Sequence, residues 1–146
     1  MRKLILLFTL AFALTLLHAQ TDKQPSFYLF NAKGESCNLD STRYFGIFKE
    51  INDTSWELKY YNFSGSLITI ETYKNKEMTV PHGLFAFFDT RGKCDSFGYT
   101  FNGHKHNYWH YLTDSLKPWL VEKYEYGKLV STENQEVLRK KWAENE

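Results

Sequence analysis

A repetition with a period of 24 residues constrains the fold of this chain more than any other feature of its sequence. Within Pro81 to Leu112, the alternating run Leu84 to Phe88 is followed by the turn residues Asp89 to Gly92 and by a second run, Phe97 to Phe101. The dipeptide Asn102-Gly103 then turns the chain tightly, because both residues tolerate a positive φ. The stretch therefore predicts a β-hairpin joined directly to the next strand.

The same pattern recurs along the chain. A shift of 24 residues matches His82 with His106, Gly83 with Asn107, Phe85 with Trp109, Phe87 with Tyr111, Phe88 with Leu112, Lys93 with Lys117 and Gly103 with Gly127. A shift of 27 residues places an earlier copy on the same unit, matching Leu58 with Phe85, Tyr60 with Phe87, Tyr61 with Phe88, Asn62 with Asp89, Gly65 with Gly92 and Asn75 with Asn102. The last unit is degenerate, since Leu116 replaces its turn glycine. A fixed period of this length predicts an array of hairpins.

The segment before the repeats predicts two more strands. Ser26 to Phe30 is a short apolar run, and Thr42 to Lys49 holds apolar residues at strand spacing. Glu35 to Ser41, between them, is polar and predicts a loop. With the hairpins, these runs predict an all-β domain over residues 20–131.

The end of the chain predicts a short helix over residues 132–146. Thr132 with Gln135 three residues later forms a possible capping box, and Val137, Leu138 and Trp142 follow at helical spacing. We expect this helix to lay its Trp142 side on the last hairpin and to cover an open sheet edge that would otherwise invite aggregation.

The first 19 residues have the features of a secretory signal peptide. Two basic residues, Arg2 and Lys3, precede an apolar stretch from Leu4 to Leu17, and Ala19 offers a cleavage site before Gln20. The alternative is a membrane anchor, but the apolar stretch is shorter than the ~20 residues that a spanning helix needs. We therefore predict cleavage after Ala19 and a secreted or periplasmic protein.

The charge of the mature chain argues against nucleic-acid binding. Two of the 18 Lys and Arg residues lie in the leader, so residues 20–146 carry 16 basic and 17 acidic residues and a formal charge of −1. The basic residues are scattered among acids, whereas phosphate binding needs a basic stripe. We expect membrane contact only through the signal peptide.

The two cysteines allow a disulfide but do not favour one. Cys37 and Cys94 each follow a turn that contains a glycine, Gly34 or Gly92. Export would place them where a disulfide can form. In a single-layer array, however, their Cα atoms would lie several strands apart, beyond the ~7 Å that a disulfide tolerates. We favour two unpaired thiols, with the disulfide as the alternative.

Four histidines, His82, His104, His106 and His110, cluster in the sequence. Imidazole is a common metal ligand, and the last three share strand parity. Against a metal site, His82 and His106 occupy equivalent places in successive hairpins, ~9.5 Å apart, whereas zinc ligands meet at ~2.0 Å from the ion. We favour solvated loop histidines and predict no metal and no other cofactor.

No arrangement of nucleophile and base stands out. Cys94 near a histidine could form a nucleophile pair, and Ser96 with His and Asp a triad, but no elbow motif holds either residue. An open sheet also lacks the water-excluding cavity that catalysis usually exploits. We predict that the protein is not an enzyme and has no catalytic residue.

The aligned units share the pattern Gly-x-Phe/Trp-x-Phe/Tyr-Phe/Tyr-Asp/Asn-x-x-Gly-Lys, followed by Gly-x-Tyr-x-Asn-Gly. It is carried by Gly83, Phe85, Phe87, Phe88, Asp89, Gly92, Lys93, Gly98, Asn102, Gly103, Trp109 and Tyr111, with Tyr60, Tyr61, Asn62 and Gly65 as a weaker copy. This pattern resembles the MORN repeat variant of YwqK-type proteins, in a secreted Bacteroidetes-like form. The segment with Asn31 to Gly34 and Asp40-Ser41 is similar to the region that precedes TonB C-terminal domains in some such proteins. The resemblance implies an elongated antiparallel sheet of hairpins with interaction roles, and it implies no catalytic residue.

The aromatic residues of the repeats suggest where a partner binds. We assign Phe85, Phe87, Phe97 and Phe101 to packing across strands. The candidate binding surface consists of Tyr108, Trp109, Tyr111 and Trp119. The predicted function is an exported, non-enzymatic repeat protein that mediates protein–protein interaction in the cell envelope, with an envelope protein as partner. The alternative is a binding module for envelope glycan or lipid, which Tyr and Trp rings would also suit.

Overall fold

The structure, a computed structural model, describes residues 24–143. The predicted signal peptide at residues 1–19 lies outside this range. The described strands are β1 (Ser26–Phe30), β2 (Tyr44–Asn52), β3 (Ser55–Asn62), β4 (Leu67–Tyr73), β5 (Pro81–Phe88), β6 (Cys94–Phe101), β7 (His104–Leu112), β8 (Pro118–Glu125) and β9 (Lys128–Asn134). A short 3-10 helix spans Leu39–Ser41, and one α-helix, α1, spans Gln135–Ala143.

The strands form one antiparallel sheet in which each strand pairs with the next along the chain, from β1 to β9. Helix α1 packs on β8 and β9. The predicted fold class, an all-β sheet of repeated antiparallel hairpins with a short C-terminal helix, is confirmed. The bounds of β1 agree with the sequence prediction, because a turn follows the apolar run directly.

The end of the chain differs from its prediction in two respects. Strand β9 was not predicted, because its sequence is mostly polar and its side chains are mostly exposed. The predicted capping box of Thr132 and Gln135 is wrong, since Thr132 lies inside β9. Instead, Asn134 Oδ1 accepts a hydrogen bond from the Val137 N–H at 3.2 Å, which satisfies one free donor at the helix start.

Helix α1 buries Leu138, which is only 6% exposed. The predicted contact of Trp142 with the last hairpin lies outside the part of the chain whose side chains are described. Within residues 24–143, no helix has the length and apolar character needed to cross a membrane.

Four turns at one end of the sheet repeat the same five-residue hydrogen-bond pattern, at residues 31–35, 62–66, 89–93 and 113–117. In each, the N–H of the first residue donates to the carbonyl of the fifth at 2.8–2.9 Å, and the N–H of the fourth donates to the carbonyl of the first at 2.8–3.0 Å. The fourth residue always has a positive φ: 78° at Gly34, 91° at Gly65, 78° at Gly92 and 60° at Leu116. The glycines therefore supply the left-handed backbone that this turn requires, and Leu116 adopts it without that freedom.

The three hairpins that follow also repeat one β-bulge. Ile68, Asp95 and Trp119 each lack a partner in the strand register, while the residues on either side of them are paired. Their spacings of 27 and 24 residues equal the two shifts found in the sequence. The repeat is therefore built into the backbone geometry as well as into the residue pattern, and each bulge adds local twist to the sheet.

The core is thin and spread along the sheet. Its buried apolar residues in the strands come from five different strands: Phe48, Leu58, Ala86, Trp109 and Val121. Trp109 packs directly on Gly98, where an added Cβ would lie 2.3 Å from the indole Cδ2 atom. The indole N–H also donates to the Tyr99 carbonyl at 3.0 Å, which fixes the orientation of the ring.

Candidate functional site

The two faces of the sheet carry different chemistry. Directly paired residues on neighbouring strands point to the same face. The glutamate face carries the paired series Glu71, Phe85, Gly98, Trp109 and Glu122, from β4 to β8. The histidine face carries the paired series Ile70, Ala86, Phe97, His110 and Val121 on the same strands.

The structure divides the predicted binding residues between these faces. Trp109 is only 5% exposed and, like the half-buried Tyr111, belongs to the glutamate face. Tyr108 is 46% exposed and lies on the histidine face near Lys123 and His110. Trp119, also 46% exposed, is the unpaired bulge residue, and its ring lies 6.2 Å from that of Tyr111. The four residues therefore do not form one continuous surface, and their role in binding stays a prediction.

On the glutamate face, three aromatic rings surround the ammonium group of Lys105. Its Nζ lies 4.3 Å from the ring centroid of Trp109, 4.9 Å from that of Tyr124 and 5.7 Å from that of Tyr111. It also donates a hydrogen bond to the Tyr111 hydroxyl at 3.1 Å. This arrangement is a cation–π cage that the chain fills with its own lysine.

A carboxylate completes this Lys105 cage. Glu122 Oε2 accepts hydrogen bonds from the hydroxyls of Tyr111 and Tyr124, both at 2.8 Å. Burial, followed by the hydrogen bond to Glu122, raises the pKa of both tyrosines. The Tyr111 hydroxyl therefore links the two charged groups, since it accepts a hydrogen bond from Lys105 and donates one to Glu122.

A second acidic and aromatic cluster lies on the same face, around Glu71. Its carboxylate accepts hydrogen bonds from the Thr69 hydroxyl at 3.0 Å and from the Tyr73 hydroxyl. Burial, followed by the hydrogen bond to Glu71, raises the pKa of Tyr73. Burial also raises the pKa of Tyr60, with smaller contributions from Tyr44 and Glu71.

An open depression of about 370 Å³ lies over this second cluster, and we call it the Glu71 pocket. Its walls include Phe30, Leu58, Tyr60, Tyr73 and Met78, with Glu71 as the charged group among the described lining residues. The rings of Phe30 and Tyr60 lie 5.3 Å apart, so aromatic surface faces the carboxylate. A volume of this size lies within the range of small-molecule sites.

Two of the histidines accept hydrogen bonds from the backbone of neighbouring turns. His82 Nδ1 accepts the Asn102 N–H at 3.4 Å, and the equivalent His106 Nδ1 accepts the Tyr126 N–H at 3.3 Å. The ring of Phe101 lies between the two imidazoles, 4.9 Å from one and 5.7 Å from the other. Among the described residues, no group of three potential ligands is placed to hold a metal ion.

The prediction that these histidines are solvated loop residues is therefore wrong for His82 and His106, and also for His110. All three lie in strands and are half-buried. His110 stacks on Phe97 with 4.7 Å between ring centroids, and burial lowers its pKa. His104 is exposed as predicted, but it is the first residue of β7, so its loop assignment is also wrong. A signal was present in the sequence, since His82 and His106 match under the 24-residue shift together with the turns that they hold.

The two cysteines are unpaired and lie far apart in the sheet. Both are free, and strands β1 to β5 lie between them. Burial, with a smaller contribution from Asp95, raises the pKa of the Cys94 thiol, which donates to the Ser96 carbonyl at 3.7 Å. A raised pKa leaves less of the reactive thiolate at neutral pH.

Alkaline pH is expected to destabilise the protein through its tyrosines. Tyr73 and Tyr111 have raised pKa values in the folded chain, whereas an unfolded tyrosine ionises near pH ~10. The stability that they contribute is therefore complete below pH ~10 and is lost as the pH rises above it.

A tyrosinate absorbance titration followed alongside circular dichroism should show late-ionising tyrosines that titrate together with unfolding. Glu122→Gln should bring part of that ionisation to lower pH. Complete ionisation of a still folded chain near pH ~10 would contradict this expectation.

These features define the class of the protein as an open, single-sheet array of antiparallel hairpins with a cation–π cage on one face. No protein-family model, curated protein or solved structure matches the chain.

Proposed function

We propose that this chain is an exported, non-enzymatic protein of the MORN-like repeat type, and that it docks a protein partner on the histidine face of its sheet. The observation that supports this proposal is a set of exposed aromatic rings on that face. Tyr99 is 50% exposed, Tyr108 46% and Phe101 37%. Exposed apolar patches mark interaction or ligand-binding surfaces, and aromatic residues are enriched at protein interfaces.

The surroundings of these rings suit a protein interface. Tyr99 and His106 are directly paired across β6 and β7, and Phe101 contacts both His106 and Tyr126. The Phe101 ring is thus held by its neighbours on the sheet and loses little side-chain freedom on binding. Tyrosines supply apolar contact area and a hydroxyl for hydrogen bonding, which explains their enrichment at interface centres.

The test is site-specific crosslinking in the native envelope. A photo-reactive phenylalanine at Tyr99 should crosslink one protein, and the same group at Phe63, an exposed residue in the turn between β3 and β4, should not. The double variant Tyr99→Ser/Tyr108→Ser should reduce affinity capture of that protein by about tenfold or more, since a central tyrosine contributes ~2 kcal/mol or more at a hot spot. Capture that Tyr99→Ser/Tyr108→Ser leaves unchanged would overturn the proposal. Crosslinking only to glycan or lipid would favour the alternative binding module.

A further inference from the structure

The Lys105 cage and the Glu71 pocket are copies of one arrangement. The two sequence shifts combined, 51 residues, match Leu58 with Trp109, Tyr60 with Tyr111, Glu71 with Glu122 and Tyr73 with Tyr124. The strand registers agree with this match, because Leu58 pairs with Glu71 just as Trp109 pairs with Glu122. Four members of the cage therefore have counterparts in the walls of the pocket.

The copies differ in what occupies the space between the rings. In the cage, the Lys105 ammonium group occupies it. The position equivalent to Lys105 under the same shift is Thr54, a turn residue whose short side chain donates to Asn52 Oδ1 at 3.1 Å. Thr54 carries no charge and is not among the pocket's lining residues. The described part of the pocket thus keeps the carboxylate and the rings but lacks the cation of its counterpart.

We propose that the Glu71 pocket binds an alkylammonium group, the chemistry of a lysine side chain or of a free aliphatic amine. The ammonium group would face the Glu71 carboxylate, whose oxygens have lone pairs beyond those used by Thr69 and Tyr73. The faces of Phe30 and Tyr60 add cation–π attraction, and Leu58 and Met78 contact the aliphatic part of the ligand.

The same geometry selects against other ligands. A neutral alcohol would gain the apolar contact but not the charge-assisted hydrogen bond to Glu71. A divalent metal ion needs several oxygen, nitrogen or sulfur ligands, whereas the described pocket offers one carboxylate among carbon-rich walls. The Glu71 pocket lies on the glutamate face and the proposed docking surface on the histidine face, so each proposal can be tested without the other.

The first experiment titrates the full chain with n-butylammonium, followed by NMR shifts of backbone amides in β3 and β4. We expect saturable binding at one site and no comparable binding of n-butanol. Glu71→Gln keeps the shape of the side chain and should weaken binding by roughly tenfold, as expected for a lost charge-assisted hydrogen bond. Glu57→Gln, on the histidine face, is the matched control and should bind as the parent chain does. Equal binding of n-butanol, or unchanged affinity in Glu71→Gln, would overturn the proposal.

A second experiment uses the filled copy. Lys105→Thr removes the ammonium group and its long stem and introduces the residue of the open copy, Thr54, so it should open the cage and raise the stoichiometry from one site to two. Circular dichroism of each variant checks that the sheet is intact, and Tyr60→Leu offers a further variant that weakens the pocket without changing its charge. A Lys105→Thr chain that stays folded and gains no site would contradict the equivalence on which the proposal rests.

The source of the amine is resolved by comparing two probes. A Gly-Lys-Gly peptide with blocked termini presents a lysine as a protein partner would, and spermidine presents a free amine. Tighter binding of the peptide assigns the pocket to a partner's lysine, and tighter binding of spermidine assigns it to a small amine. Failure of both probes to bind would overturn the proposal.

Discussion

Gly98→Ala is expected to lower the free energy of unfolding by about 1–3 kcal/mol, the usual cost of overpacking a filled core. A Cβ at this position would lie 2.3 Å, 2.5 Å and 2.6 Å from three atoms of the Trp109 indole. The ring cannot simply move away, because it is buried and its N–H donates to the Tyr99 carbonyl. Urea unfolding followed by circular dichroism measures the change.

A second substitution, at Trp109, should make room for the Cβ that Gly98→Ala adds. Leu58, the counterpart of Trp109 under the combined shift, suggests Trp109→Leu as the smaller residue. Trp109→Leu alone should also destabilise the sheet, because it removes buried surface and the contact with Lys105. The double variant should be more stable than the sum of the two single effects predicts. Strict additivity, or a neutral Gly98→Ala, would show that the indole does not press on Gly98.

Exchanging leucine and glycine between two turns is expected to change stability in opposite directions. Leu116 and Gly92 hold the same place in equivalent turns, with φ of 60° and 78°. Left-handed backbone costs a residue with a Cβ about 1–2 kcal/mol, from which the greater unfolded-state freedom of glycine removes ~0.5–1 kcal/mol. Leu116→Gly should therefore stabilise the chain by about 1 kcal/mol, since the side chain is 57% exposed and loses little contact. Gly92→Leu should destabilise it by a similar amount.

The control for this exchange is the neighbouring position. Ser115 has no positive φ, so Ser115→Gly should give no stabilisation and a small loss. Thermal and urea unfolding of the three variants under identical conditions compares them directly. Stabilisation by Ser115→Gly equal to that of Leu116→Gly would mean that general turn flexibility, not the left-handed backbone, sets the effect.

The hairpin array could be predicted from sequence because its signals are local. Turn residues such as Asn62, Asp89 and the glycines after them lie within a few positions of the hydrogen bonds that they make. Alternating apolar residues between those turns determine strand type and face. Asn102 and Gly103, expected from the sequence to tolerate a positive φ, have φ of 48° and 87°.

The clusters on the glutamate face could not be predicted in the same way. The bulge at Trp119 and the irregular register around Asn107 decide which face each neighbouring aromatic residue occupies, and simple alternation does not reveal them. The Lys105 cage joins residues from β7 and β8, and their grouping around one ammonium group can be recognised only from the positions of the side chains. One signal was available, since Glu71-Thr72-Tyr73 and Glu122-Lys123-Tyr124 match at the combined repeat spacing.

The strict order of the sheet also bears on how such a chain can change its length. Each strand's main contacts are with the strands before and after it, and the buried residues are distributed over many strands instead of meeting at one centre. Duplication of one 24-residue unit would therefore interrupt a single strand pair and create new pairs of the same kind, with no common interior to rebuild. Because a cage or pocket belongs to a hairpin and its neighbours, duplication would copy the binding arrangement along with the strands. The two copies then need to differ at only one equivalent position: lysine at position 105 fills its copy, and threonine at position 54 leaves the other copy open.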